Sequence, residues 1–239
     1  MRVVFCFSLL LSACHPLRLA APSGRAVSAR CMLCMAAKTK AAAAPAAEAS
    51  AEAMAAAAAL LEEVAKEERS LSTIASLVST LEAEPMVDKA TKLKRALQAD
   101  WKIEYASDSA AIQPFVTGPE NPFAVTEGIV HRFKKTGEFE TIEVRRKLGP
   151  FGNSKATLNG KYSFEKGALR WRASYALDAR SRELPPPKGA GVAEMRVTHV
   201  SPSLLLLRPT ADESSLLIFA RVEKLKEWLD ELRVPDEEE

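Results

Sequence analysis

The feature that most constrains this fold is a series of short alternating segments that begins at Trp101. Trp101, Ile103 and Tyr105 alternate with charged residues at positions 102 and 104. A period of two places the apolar side chains on one face of a β-strand and the charged ones on the other. We therefore predict that Trp101 opens a β-domain and that the apolar face of its strand looks into that domain.

Seven further segments after Trp101 show strand patterning, and turn residues separate them. They are Glu127–Lys134, Phe139–Arg146, Thr157–Phe164, Ala168–Leu177, Val192–Val200, Leu204–Leu207 and Ser215–Val222. Gly160 interrupts one of them, which predicts a bulge or a close backbone approach there. Eight strands at this spacing after helices indicate an antiparallel barrel or a strongly bent sheet. A barrel of eight strands either holds one small ligand or fills itself with side chains.

Six aromatic residues on the predicted inner faces are candidates for contact with such a ligand. They are Trp101, Tyr105, Phe133, Tyr162, Trp171 and Tyr175. Two alternatives stay open for these six side chains. They either line an apolar cavity that holds a ligand or fill the barrel interior themselves. Ala173 lies between Trp171 and Tyr175, and a small residue there predicts space beside the two rings.

The run Leu204–Leu207 is apolar on both faces of its strand, since adjacent strand residues point in opposite directions. An exposed apolar face of that kind would promote association with other molecules, so a helix should cover the outside of the barrel. We assign this role to a C-terminal helix over residues 222–233. Its apolar stripe consists of Val222, Leu225, Trp228, Leu229 and Leu232, and Pro235 and an acidic tail (235–239) follow.

Three helices are predicted over residues 58–98, ahead of the strands over residues 99–222. Leu60, Leu61 and Val64 give the first a short apolar stripe. The second begins at Ser70 or Ser72, carries Ile74, Leu77, Val78 and Leu81, and ends at Pro85. The third is capped by Asp88, turns Ala90, Leu93 and Leu97 to one side, and turns Lys89, Lys92, Lys94 and Arg95 to the other. We interpret that basic face as solvated, with a role at an anionic membrane surface as the alternative.

Residues 1–40 are predicted to be a bipartite targeting presequence. Arg2 and the apolar run 3–13 are typical of a signal peptide, and the run is too short for a convincing transmembrane helix. Residues 15–40 contain basic residues, hydroxyls and alanines but no acid, which is typical of a transit peptide. The alternative is a bacterial lipobox at residues 11–14, in which Cys14 would be lipidated. Residues 41–57 are alanine-rich and are predicted to form a linker before a domain over residues 58–234, with a frayed helix as the alternative for residues 41–54.

The charge of the chain argues against a nucleic-acid partner. Residues 1–50 hold six of the 33 basic residues and one of the 31 acidic residues, which leaves 27 basic and 30 acidic residues. The predicted domain is therefore mildly acidic. All four cysteines also lie before residue 35, so the domain needs no disulfide.

The sequence shows no catalytic or metal-binding constellation. His131 and His199 lie in different strands, His15 lies in the presequence, and no cysteine remains to complete a metal site. We therefore expect no metal, no cofactor and no enzymatic activity. The acids Glu138, Glu140 and Glu143 flank a predicted hairpin and are expected to face solvent. Arginines 170, 172, 180, 182, 196 and 208 are expected to pair with neighbouring acids, with contact to anionic lipid headgroups as the alternative.

Several motifs resemble the plastid lipid-associated protein family, also called plastid fibrillins. Residues 58–107 combine a helical lead-in and a proline with Trp101-Lys-Ile-Glu-Tyr-Ala-Ser107, similar to the family's W-x-L-x-Y-[TS]-S strand. Gly128-Ile-Val-His-Arg-Phe133 resembles its G-x-V-x-Q-x-[IF] strand, with Arg132 in place of the glutamine. The segments 200–208 and 216–221 resemble its terminal strand pair. There the chain has Pro202 or Ser203 and Leu205 where the family has an acid and an arginine, Arg208 is retained, and Pro209 replaces a glycine.

The resemblance implies a lipocalin-like barrel in a plastid, reached here through a signal peptide and therefore a complex plastid. It implies association with plastoglobules or thylakoids and the binding or organising of lipids, prenylquinones or carotenoids, without catalytic residues. Two alternatives stay open. One is an accessory subunit that docks on a thylakoid protein complex through the C-terminal helix. The other is a lipocalin-like carotenoid-modifying enzyme, which would need a buried acid or base such as Glu104 or Asp108.

Overall fold

We describe the chain from a computed structural model, which covers residues 50–85, 90–117, 124–147, 152–165 and 168–232. The helices are α1 (Ala51–Ala65), α2 (Leu71–Ala83), α3 (Ala90–Leu97), α4 (Ser109–Ile112) and α5 (Leu225–Glu231), with a 3-10 turn at Gln113–Phe115. The strands are β1 (Asp100–Ala106), β2 (Ala124–Phe133), β3 (Glu138–Lys147), β4 (Asn153–Glu165), β5 (Ala168–Leu177), β6 (Glu183–Leu184), β7 (Val192–Val200), β8 (Leu204–Pro209) and β9 (Leu217–Val222). The predicted presequence, the helix cap at Asp88 and the acidic tail lie outside the described residues.

Eight of these strands close into an antiparallel barrel. They follow one another around it in the order β1, β2, β3, β4, β5, β7, β8 and β9, and β9 pairs back onto β1. The short β6 adds to the end of β5, outside this ring. The predicted fold is confirmed: a mainly β, lipocalin-like barrel of eight antiparallel strands, preceded by a helical segment and followed by a C-terminal helix.

Four β-bulges shift the register between neighbouring strands of the barrel. They lie between Ile103 and Tyr105 in β1, at Thr126–Gly128 in β2, opposite Asn159–Gly160 in β5, and at Val197–His199 in β7. A bulge bends a strand and increases its twist, and closing a sheet into a barrel needs both. Gly160 is confirmed as a site of close approach, because a Cβ there would lie 2.1 Å from the carbonyl oxygen of Arg172.

The inner faces of the strands form the main core, and two short segments complete it from the ends. Leu93 and Leu97 of α3 enter it at one end, and Phe115 enters it from the turn after α4. The buried members from the strands are Trp101, Ile129, Phe133, Phe139, Leu158, Tyr162, Leu169, Trp171, Ala176, Met195, Val197, Leu205, Leu207, Leu217 and Phe219. Inner and outer residues alternate along β8, as predicted, since Leu205 and Leu207 lie in this core.

The outer leucines of β8 are covered by α1 and α2. Leu204 and Leu206 pack with Ile74, Val78 and Leu81 of α2 in a second apolar cluster, outside the barrel. Ser70 caps α2 by accepting a hydrogen bond from the backbone N–H of Thr73, which confirms one of the two predicted caps. The need for a helical cover is therefore confirmed, but the N-terminal helices meet it at this strand.

Helix α1 begins at Ala51, earlier than the predicted domain boundary at residue 58. Ser50 caps it by accepting from the N–H of Ala53, and Ala53, Ala56 and Ala57 are buried in the outer cluster with Leu60. Residues 51–57 are therefore part of a packed helix and not a linker, and for residues 51–54 the helical alternative is the one observed. Alanine favours helix and exposes little side-chain surface, so an alanine face packs well once a partner surface is present.

Helix α5 covers a different part of the outer surface, as predicted for the C-terminal helix. Leu225 and Trp228 pack with Val130, Ile142 and Val144, on the outer faces of β2 and β3. The indole of Trp228 lies against Gly128, where a Cβ would come within 2.8 Å of the ring. The apolar stripe of α5 is therefore packed against the barrel of the same chain.

Candidate functional site

Four of the six predicted inward aromatics lie inside the barrel. Trp101, Phe133, Tyr162 and Trp171 are buried members of the main core. Phe133 contacts Tyr162 edge to face at 5.0 Å and lies 6.5 Å from Trp171 between ring centroids. The Tyr162 hydroxyl donates to the backbone oxygen of Lys134, and burial raises the pKa of Tyr162. For these four residues the inward orientation is confirmed.

The inward orientation predicted for Tyr105 is wrong. The β1 bulge lies between Ile103 and Tyr105, so the alternation that starts at Trp101 is shifted by one residue beyond it. Tyr105 consequently packs against the outer cluster with α1 and α2, while Ala106 packs against the main core.

Tyr175 also faces away from the core, for the same physical reason. The bulge in β5 sets Tyr175 opposite Asn159, whereas the buried Ala176 pairs with the buried Leu158. Directly paired residues of an antiparallel sheet share a face, so Ala176, not Tyr175, points inward. The space predicted at Ala173 is absent too: a Cβ on Gly191 would lie 2.3 Å from the Ala173 Cβ, so the Gly191 backbone occupies it.

Phe115 is the aromatic residue that sequence reasoning missed. It belongs to residues 108–117 between β1 and β2, which we call the lid segment, and its side chain is fully buried. Its ring lies 5.2 Å from both His131 and Trp171 and 5.6 Å from Phe219. A loop residue has no periodicity to mark it as core. The available signal was a large aromatic residue directly after Pro114 in a short connection between two strands.

His131 lies at the centre of this aromatic interior. Its ring contacts Phe133, Phe139 and Trp171 at centroid distances of 4.5, 5.1 and 5.1 Å. Nδ1 is hydrogen-bonded to the Thr141 hydroxyl at 2.7 Å, while Nε2 is buried without a hydrogen-bond partner. Complete burial lowers the pKa of His131 to about 3, so the imidazole is neutral at physiological pH.

The two core tryptophans differ in how their N–H groups are satisfied. The indole N–H of Trp101 donates to the backbone oxygen of Leu97 at 2.9 Å. The indole N–H of Trp171 is buried and has no hydrogen-bond partner. Buried polar groups are nearly always paired, so Trp171 Nε1 and His131 Nε2 are exceptions on two side chains whose rings lie 5.1 Å apart in this apolar interior.

Glu143 is buried, so the prediction that it faces solvent is wrong. Only 1% of its surface is exposed, and it lies on the inner face of β3. Its carboxylate accepts from the backbone N–H and the hydroxyl of Thr117 (2.8 and 2.7 Å), from the Thr126 hydroxyl (2.9 Å), and from Arg145. Burial favours the neutral acid, but the bonds from Arg145 and Thr117 outweigh it and lower the pKa of Glu143. Glu143 thus fastens the C-terminal end of the lid segment to the barrel.

Beyond this fastening the barrel opens into a cavity of about 420 Å³, which we call the mouth cavity. Alternate inward positions of β3, β4 and β5 line it, with Arg145, Lys147, Ser154, Ala156 and Ala176. The rest of its wall is Thr117, Ala124, Leu177, Asp178, Ala179, Leu184, Pro185 and Pro187. The wall of the cavity thus combines small and apolar side chains with the positively charged side chains of Arg145 and Lys147.

A larger and more open groove, of about 820 Å³, lies at the other end of the strands, beside α3. Tyr162, Trp171 and Ala193 reach it from the barrel wall. Its charged lining residues are Lys94, Lys161, Arg170, Arg172 and Glu194. Arg170 pairs with Glu194 at 2.8 Å, and Lys94 Nζ lies 5.6 Å from the centre of the Tyr162 ring. Trp171 therefore separates this groove from the aromatic interior.

Glu104 and Asp108, the two acids considered for an enzymatic function, are both engaged in ion pairs or hydrogen bonds within the fold. Glu104 is half-buried and pairs with Lys102 at 2.9 Å. Asp108 accepts from the Ser215 hydroxyl at 2.5 Å and from the N–H of Ala111, where it caps α4. These bonds, led by that from Ser215, lower the pKa of Asp108. Neither arrangement resembles a reactive acid or base.

Most of the singled-out arginines have acidic partners, as expected. Arg170, Arg182, Arg196 and Arg208 pair with Glu194, Asp178, Glu213 and Glu82 at 2.6–2.8 Å. The arginines at 172 and 180 make no ion pair within the described ranges. His199 is buried behind α2, where Nδ1 lies 3.2 Å from the backbone oxygen of Leu81, and burial lowers its pKa.

In the part of the chain that the structure describes, three or more His, Cys, Asp or Glu side chains nowhere gather as metal ligands would. No helix there combines the length and apolarity needed to span a bilayer. Neither a protein-family model nor a curated protein matches this sequence.

Proposed function

We propose that this protein is a non-enzymatic plastid lipid-associated protein whose barrel binds a lipid, a prenylquinone or a carotenoid. The mouth cavity is the observation that carries the proposal. Its volume of about 420 Å³ falls in the range of about 300–1,000 Å³ that small-molecule sites occupy. Alanines at inward positions of two strands leave this space where larger residues would have filled the barrel.

The lining of the mouth cavity suits an amphipathic molecule. Ala156, Ala176, Leu177 and Leu184 supply apolar surface, while Arg145 and Lys147 supply positive charge. The Arg145 guanidinium is held by Glu143 through two hydrogen bonds of 2.7 and 2.9 Å, so it is fixed in place. An apolar body with a polar or anionic end would match both parts of this wall.

The rim of the mouth cavity supports a peripheral position on a plastoglobule or thylakoid surface. Leu184 is 46% exposed at the rim, and Val125, next to the lining residue Ala124, is 47% exposed. Exposed apolar side chains beside cations such as Lys147 are the combination that peripheral proteins use at anionic interfaces. A barrel that meets the lipid surface with this end could take up a ligand directly from it.

Occupancy of the barrel can be tested by lipid extraction. The purified chain is extracted with organic solvent and the extract is analysed by mass spectrometry. The matched pair is Ala156→Phe, which fills the mouth cavity, and Ala96→Phe, which makes the same change on the exposed face of α3. We expect co-purified lipid with wild type and Ala96→Phe, and at least tenfold less with Ala156→Phe at similar thermal stability.

Two results would contradict the proposal. One is an extract from the wild type that contains no lipid, quinone or carotenoid above the level of an unrelated protein. The other is a large loss of stability in Ala156→Phe, which would mean that the space is part of a packed core. The plastid location is tested separately by fusing residues 1–54 to a fluorescent reporter in a host with complex plastids. Secretion of that reporter or lipidation at Cys14 would contradict it.

A further inference from the structure

The space that Phe115 occupies has the properties of a ligand subsite. The phenyl ring is surrounded by His131, Trp171 and Phe219 at centroid distances of 5.2, 5.2 and 5.6 Å. These distances are those of favourable aromatic contacts, so the chamber is shaped for one flat six-membered ring. That ring comes from the lid segment, whereas the walls come from the barrel.

Two of the side chains that surround Phe115, those of Trp171 and His131, each carry a buried nitrogen without a hydrogen-bond partner. Trp171 Nε1 and His131 Nε2 are buried without hydrogen-bond partners, in side chains that are 3% and 0% exposed. A buried N–H that lacks an acceptor costs free energy that a hydrogen bond would restore. A ring with a carbonyl oxygen in this position would bring a hydrogen-bond acceptor beside the Trp171 side chain, and the phenyl ring of Phe115 has none.

The lid segment is held by bonds that can open without breaking the barrel. Asp108 binds Ser215 at one end, Thr117 binds Glu143 at the other, and the Pro114 oxygen accepts from the N–H of Gly191 at 2.8 Å. The segment adds no strand to the sheet, so its displacement leaves every strand pair intact. Segments of this kind open at lower cost than the core does.

We propose that Phe115 is a removable plug in the binding site for the head group of a quinone-type lipid. The carbonyl-bearing ring of the ligand takes the place of the Phe115 ring, with Trp171 Nε1 donating to a carbonyl oxygen and His131 beside it. The apolar tail leaves through the mouth cavity, past Thr117. This inference rests on the proposed function and selects, among its ligand classes, a ring with a hydrogen-bond acceptor.

The test measures binding of a decyl-substituted benzoquinone by equilibrium dialysis to the full chain and its variants. Phe115→Ala removes the plug and is expected to bind the quinone at least tenfold more tightly than wild type. Adding Trp171→Phe to Phe115→Ala removes the N–H donor and should weaken binding about fivefold, the effect of one hydrogen bond. The control is Trp228→Phe in the same background, which removes an indole N–H outside the barrel and should change nothing.

If Phe115→Ala does not fold, Phe115→Leu serves as a second variant, because leucine keeps the chamber apolar while leaving room for part of a ring. Equal affinity of wild type and the Phe115 variants, or no effect of Trp171→Phe, would overturn the inference. The proposed function would survive that outcome if Ala156→Phe still abolished binding, because the ligand would then lie in the mouth cavity alone. A chain that binds neither the quinone nor any extracted lipid would overturn both.

Discussion

The two ends of the barrel are closed by different kinds of contact. At the α3 end, Leu93 and Leu97 enter the core, and the N–H of Trp101 is satisfied by the Leu97 backbone. At the mouth end, alanines line the inner wall, and the buried carboxylate of Glu143 holds the lid segment through the lining residue Thr117. The barrel interior at the α3 end is filled by the chain's own large side chains, and the groove at that end lies outside it, beyond Trp171. The interior at the mouth end is left partly open and is fastened by polar bonds.

The difference indicates that one end of the barrel core mainly stabilises the fold, while the other end is suited to binding a ligand. Large apolar side chains stabilise the barrel through burial, and they do so best where polar groups are satisfied locally. A binding site needs unfilled volume and polar groups that are held in place, and both weaken the packing around them. The contrast predicts that substitutions at the α3 end act on stability, while those at the mouth act on ligand occupancy.

The largest expected effect is that of Trp101→Ala. The indole is 1% exposed, packs in the main core and donates a buried hydrogen bond to Leu97. Emptying such a site should lower the free energy of unfolding by about 3–5 kcal/mol. Urea titration followed by circular dichroism measures this loss. A loss below about 1 kcal/mol would contradict a packed α3 end and remove the contrast between the two ends.

The second prediction uses pH to separate His131 in the aromatic interior from Glu143, which fastens the lid segment. His131 is neutral when folded, with a pKa near 3, while the unfolded chain binds a proton at its ordinary value of about 6.5. Stability is therefore full above about pH 6.5 and falls as the pH drops toward 3, by about 2 kcal/mol by about pH 5. Urea midpoints measured across this range should show the decline.

Glu143 also makes the protein less stable as the pH falls, but at lower pH values than His131. Its folded pKa is depressed, so its ionised bonds stabilise the fold above the ordinary carboxyl value of about 4.5, and that stability is lost as the pH falls through the folded pKa. His131→Phe should remove most of the decline above pH 4.5 and leave the smaller part that comes from His199, whose pKa burial also lowers. Glu143→Gln should leave the whole decline in place. If Glu143→Gln flattened the upper window instead, the assignment of His131 to a fully buried site would be wrong.

The strand segments, the antiparallel barrel and the four inward aromatics could be predicted because they depend on alternation, which the sequence displays directly. Tyr105 and Tyr175 could not be placed, because an extra residue in a bulge shifts the alternation while leaving apolar residues on both sides of it. Glu143 was misplaced because a buried carboxylate and a solvated one look alike in sequence. Its burial depends on Thr117 and Thr126, which only the fold brings near.

The smallest expected effect is that of Trp228→Ala, which tests whether stability is concentrated inside the barrel. Trp228 is half-buried on the outer surface and lies against Gly128, so its removal exposes apolar surface of β2 and leaves the main core intact. Partial burial predicts a loss of about 1–2 kcal/mol, less than for Trp101→Ala. The two variants are compared by urea titration under identical conditions. Equal losses would mean that the helical cover contributes as much as the closed end of the barrel.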